Sequence, residues 1–127
     1  MKLQRLNKEF LDEFKDYDFS QIIEKRIGLV GSAKFKEYFF KIESILQILH
    51  KKIVTICSLD GFLNKEKFCS DEWEALQKIC IEKLKYQEKL LVLDVNDYIG
   101  IHTAEEIEYF VKKLKRHIYF LSKLKFK

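Results

Sequence analysis

The chain has 127 residues, 47% of them hydrophobic, three cysteines, no proline and a formal net charge of +4. That length suits one domain (residues 1–127) with a substantial core, and no stretch approaches the roughly 18 apolar residues that a membrane span needs. Cys57, Cys69 and Cys80 form an odd set without a Cys-x-x-Cys pair, which argues against a disulfide framework and a zinc knuckle; with no apolar signal core after Met1, the expectation is a cytoplasmic protein.

Taken in chain order, Leu3, Leu6, Phe10 and Phe14 recur at helical spacing, which predicts a short amphipathic helix to about Tyr17. Asp16 and Asp18 offer caps and negative charge ahead of a second short helix from about Phe19 to Ile27, with Lys25 and Arg26 in its last turn. Gly28-Leu29-Val30-Gly31-Ser32 then reads as the break that ends it. With Ala33 and Lys34 the same segment has the ingredients of an anion site at a helix start. It is not a P-loop, because two residues separate the glycines instead of four and the preceding segment reads as helix.

Phe35, Phe39, Ile42, Leu46, Leu49, Ile53 and Ile56 alternate in steps of four and three, a heptad seam that predicts one long helix over 32–57. The tract Leu59-Asp60-Gly61-Phe62-Leu63-Asn64 is a turn leading into a short capped helix; its likeness to an EF-hand loop fails because Ile56 and Lys67 stand where carboxylates are required. Ser70-Asp71-Glu72 caps a third helix whose inward face runs from Trp73 through Leu90 and Leu91, with Gln87 at its solvent edge. After a break at Asp94–Ile101, Thr103 and Glu106 form a capping box for a last helix with Phe110, Leu114, Ile118 and Leu121 turned inward.

These elements and the missing proline, against an average near 5%, predict an all-α, single-domain helical bundle with three long helices and one or two short N-terminal ones. Such a plan is similar to that of bacterial export chaperones, immunity proteins and phage-encoded inhibitors. The similarity is architectural and carries no residues over.

Nothing in the chain supplies a metal or catalytic motif: His50, His102 and His117 have no histidine or cysteine three to five residues away, Glu-x-x-His is absent, and so is the Arg-x-x-x-x-His pattern of HEPN-type ribonucleases. No cofactor, metal site or enzyme is therefore expected. The charge pattern is more informative. From Tyr109 onward seven basic residues meet no acid, whereas Asp60–Glu108 holds twelve acids against six lysines. Tyr109, Lys112, Lys113, Arg116, Tyr119, Phe120 and Lys123 are the candidate partner-binding residues, and Phe40, Tyr98 and Phe126 add aromatics that project off the main stripes. The functional expectation is a non-enzymatic protein that docks this aromatic and lysine-rich face on a partner protein, acidic in character, as a monomer or homodimer without membrane contact. The alternative is a nucleic-acid-binding subunit using the basic C-terminal helix. Against sequence-specific reading stands the skew to 21 lysines and 3 arginines, because lysine lacks the bidentate fork.

Overall fold

Two short apolar runs, Ile27–Val30 and Leu90–Leu93, hold nearly every residue out of water, as the interior strands of a parallel sheet require. The computed structural model describes residues 6–56 and 69–126. It shows α1 (Lys8–Glu13), β1 (Arg26–Gly31), α2 (Lys36–Ile48), β2 (Ile53–Ile56), α3 (Ser70–Leu84), β3 (Lys89–Leu93), α4 (Ile101–Glu108, continued by a π turn over Tyr109–Lys113) and β4 (Ile118–Phe120). The strands form one parallel sheet in the order β2-β1-β3-β4.

The all-α helical bundle is thus corrected to an α/β fold. The seam of seven apolar residues is split: Phe39, Ile42 and Leu46 lie on α2, Leu49 caps it, and Ile53 and Ile56 belong to β2. Between them the chain turns at Lys51, which takes a left-handed φ of 56°. The second short helix is a single 3₁₀ turn, Phe19–Gln21, and the glycine segment read as helix punctuation is β1 itself. The third helix stops at Leu84 and its expected C-terminal face is β3; the last helix ends near Lys113, and Ile118 lies in β4. Gln87, expected at a solvent edge, is buried against the sheet and donates from Nε2 to the Lys83 carbonyl. Thr103 and Glu106 do not cap α4, whose N-cap is Gly100; both are buried on its inner face. The Asp60-Gly61 turn, the helix to Phe68 and Cys57 lie outside the described residues.

Period-two alternation sorts the strand residues between two cores. Ile27, Leu29, Leu91, Leu93, Val54 and Ile56 pack with Phe39, Ile42, Ile45 and Leu46 of α2 and with Phe14, Phe19 and Ile22 from the N-terminal segment. Val30, Leu90 and Val92 face the other way, against Cys80 and Leu84 of α3 and Phe110 of the π turn. The chain leaves β1 toward β2 through α2, then crosses back to β3 through α3. Crossovers of one hand put helices from opposite directions on opposite faces, which is where the two cores lie. Gly28 is needed for this packing: a Cβ there would sit 2.9 Å from Leu90 Cδ2 and 3.0 Å from Gln87 Cγ.

The alternation in β2 separates a sheet from a helix by mutation. Val54 is 9% exposed and Ile53 43%. Val54→Asp is expected to cost about 3 kcal/mol or more by burying an unpaired carboxylate, whereas Ile53→Asp should cost no more than about 1 kcal/mol; urea unfolding of both variants measures the difference. On a seam helix the order would reverse, because Ile53 was the inward residue.

Candidate functional site

In an open parallel sheet the ligand crevice lies beyond the carboxyl ends of two neighbouring strands whose following helices cover opposite faces. Here those strands are β1 and β3. β1 leads into α2 over one face and β3 into α4 over the other, so the loops 32–35 and 94–100 diverge and leave a crevice between them.

On the β1 side, Gly31 is followed by Ser32, and the alternation of β1 carries Ser32 to the face already occupied by Val30. Its Oγ accepts from the Lys34 N–H at 3.4 Å. A 3₁₀ turn, Ala33–Phe35, runs straight into α2, whose first turn receives no side-chain cap. A strand, a Gly-Ser step and the open N-terminus of a 13-residue helix with a lysine beside it form an arrangement that suits an anion.

On the β3 side, Asp94 is buried at the strand end and accepts from the Ser122 N–H at 2.9 Å and the Ser122 Oγ–H at 2.6 Å, tying this loop to the end of β4. Asn96 and Asp97 both adopt left-handed backbone, φ 55° and 60°, a conformation that these two residue types tolerate better than most. Their turn aims Tyr98 back across the crevice. The Lys34 ammonium lies 3.3 Å from the centre of the Tyr98 ring, and Phe35 meets the same ring edge-on at 6.0 Å. The two loops are therefore clasped across the crevice mouth by a cation–π pair and an aromatic contact. Asp94→Ala should cost about 1–3 kcal/mol in chemical denaturation, because it strands both Ser122 donors in a half-buried site.

The floor comes from α4. It packs against β1, and its inner face is Thr103, Glu106 and then Phe110, at 0% exposure, in the core with Val30 and Val92. To join two parallel strands α4 must run antiparallel to them, so a residue one turn before Phe110 lies about 6 Å nearer the carboxyl edge of the sheet. That residue is Glu106, on the inner face of α4. It is 5% exposed, and its Oε2 is buried without a hydrogen-bond partner. Burial, and secondarily the neighbouring Glu105 carboxylate, pushes its carboxyl up to about 7. At neutral pH this carboxyl is shared between its acid and its carboxylate form. It can give a proton, take one, or attack as an oxygen nucleophile.

Sequence reasoning placed its candidate residues elsewhere. Of that set, Lys112, Lys113 and Lys123 are exposed, with Lys112 Nζ 3.2 Å from Glu108 Oε1. Arg116 is turned inward: Nη1 donates to the Lys85 and Gln87 carbonyls after α3. Tyr119 donates its hydroxyl to Glu24 at 2.7 Å and packs on the first core, while Tyr109 and Phe120 pack on the second. Phe40 also packs inward; Tyr98 and Phe126 are exposed. The seven residues are divided between the π turn that continues α4, the loop holding Arg116, β4 and the 3₁₀ turn Leu121–Lys123, so they share no helical face. Glu106 was hidden by its capping-box spacing from Thr103. The Gly-Ser-x-Lys signal for the anion site was visible and outweighed by the helical reading of the residues before it.

Among the described residues no three of His, Cys, Asp and Glu come together as a metal site, and no helix is long and apolar enough to cross a membrane. Comparison with protein-family models, with curated proteins and with solved structures finds no match.

Proposed function

We propose that this chain is an enzyme acting on a small anionic molecule bound across the β1–β3 crevice, with Glu106 as the reacting group. The observation that carries the proposal is the buried Glu106 carboxyl with an unpartnered oxygen on the inner face of α4, the helix that follows β3. A polar group left so has lost water without a bond in return, which destabilises the fold and is characteristic of sites arranged for chemistry. The N-terminus of α2 and the Lys34 ammonium supply the positive end of the site, for a phosphate or carboxylate group. Ligand entry releases Lys34 from Tyr98, exchanging a cation–π contact for an ion pair.

The test is a thermal-shift screen of phosphorylated and carboxylated metabolites against their neutral counterparts, at pH 7. Anionic hits should stabilise the wild type and Glu106→Gln alike, by about 2.7 kcal/mol at a hundredfold excess over Kd. They should lose most of this on Lys34→Ala, and be consumed by the wild type alone. Hits that ignore Lys34→Ala, or turnover retained by Glu106→Gln, would refute the assignment.

A second reading, docking of a partner protein, draws support from Tyr98, Ile99 and Ile101, consecutive apolar exposures at the rim of the crevice, Ile101 being 79% exposed. It predicts a stoichiometric, nuclease-resistant partner in a pull-down that is lost on Ile101→Glu. The Lys112, Lys113 and Lys123 side chains leave a nucleic-acid reading testable in the same experiment, by its loss after nuclease treatment.

A further inference from the structure

A second concavity lies alongside α2, toward its C-terminal end. Because α2 runs antiparallel to the strands, its C-terminal end stands at the opposite, amino edge of the sheet. There α1, the Phe19–Gln21 turn and the end of α2 enclose an open groove of about 220 Å³. Rings make its walls: Phe14 lies 6.2 Å from Tyr17, Tyr17 stacks on Phe19 at 6.1 Å, Phe19 meets His50 edge-on at 6.3 Å, and exposed Phe126 closes one side. Asp18 contributes a carboxylate to the lining, its Oδ1 fixed by the Ser20 N–H and Oγ–H.

We propose that this groove binds a small organic ammonium ion, its alkyl groups against the Tyr17, His50 and Phe126 rings and its charge toward Asp18. Two features select a cation over a neutral or anionic guest. Burial, reinforced by Lys52 and only partly opposed by Asp18, holds His50 below its ordinary pKa, which leaves Asp18 as the charged side chain among the residues that line the groove. The chain also shows the interaction internally: the Lys125 ammonium lies 5.7 Å from the centre of the Tyr17 ring, on the segment whose Leu124 carbonyl accepts from the Asp18 N–H. Aromatic faces beside a carboxylate attract quaternary and alkyl ammonium groups, and the volume suits one of a few heavy atoms.

The test is an NMR titration of the isotopically labelled full chain with choline and, separately, with its uncharged carbon isostere 3,3-dimethylbutan-1-ol. Saturable shifts are expected at Tyr17, Phe19, His50 and Phe126 with choline, and binding at least ~10-fold weaker with the isostere. Asp18→Asn keeps a side-chain oxygen to cap the 3₁₀ turn, so it retains the fold; it should weaken choline by a similar ~10-fold. Equal affinity for the two probes would overturn the proposal whether or not the variant folds, as would the absence of saturable shifts or their appearance at Lys34 and Tyr98 instead.

Discussion

Glu106→Gln is expected to remove most of the pH dependence of folding stability between pH 5 and 8, and to leave the protein more stable than the wild type at pH 8. In the folded chain burial raises the Glu106 carboxyl to about 7 from an ordinary value of 4.5. A group whose folded pKa is raised holds its proton more tightly in the native state, so below about pH 4.5 both states are protonated and it contributes no penalty. Between 4.5 and 7 the unfolded chain ionises first and stability falls by about 1.4 kcal/mol per pH unit. Above 7 both states are ionised and the loss levels off at about 3 kcal/mol. Glutamine is neutral throughout, so urea unfolding of the variant should follow a curve missing this step. If wild type and variant run parallel from pH 5 to 8, Glu106 is not buried as described.

Phe110→Ala is expected to cost about 3–5 kcal/mol, the range for emptying a fully buried aromatic site. Phe110 is fully buried in the cluster with Val30, Val92 and Leu84, and with Ile107, Tyr109 and Leu114 packed beside it, it anchors the second half of α4 on the sheet. Its loss has a second consequence one turn away. With α4 loosened, water reaches the Glu106 carboxyl and its titration should move down toward 4.5. Val111→Ala, beside it on the same π turn but 43% exposed, should change stability by about 0.5 kcal/mol or less and leave Glu106 where it was. Equilibrium denaturation gives the first quantity for both variants, and a carboxyl titration gives the second.

The sequence was legible in parts. α3 does begin at Ser70, though its N-cap is Cys69, whose N–H donates to the Glu72 carboxylate, and Asp94–Ile101 does interrupt the secondary structure. Phe39, Ile42 and Leu46 face inward on α2 as their spacing requires. The strands were lost for a physical reason. Leu90-Leu91-Val92-Leu93 is apolar on both faces because both faces of β3 are covered, so it shows no alternation, and a short continuous apolar run next to a helix reads as its extension. Glycine and proline usually expose such breaks. Here Lys51 and Lys115 make left-handed turns with ordinary side chains, and the sequence passes through both without punctuation. At β2 the coincidence was complete, since Leu49, Ile53 and Ile56 keep heptad spacing across a turn that ends the helix.

The candidate site was hidden by the same error. Glu106 next to Glu105, three residues after Thr103, is an ordinary helix-start pattern, and only the placement of α4 on a parallel sheet turns its side chain inward. Gly31-Ser32 changes meaning in the same way, from the end of a helix to the end of a strand. The local residue pattern was the same in both readings, but the anion-site interpretation depends on the strand that precedes it.

The most direct test is a carbon-detected NMR titration of the Glu106 side-chain carboxyl, assigned by comparison with Glu106→Gln. The structure predicts a midpoint about 7, separated from the exposed glutamates. A midpoint at the ordinary 4.5 would show a solvated carboxylate at that position and contradict the assignment of Glu106 as the reacting group.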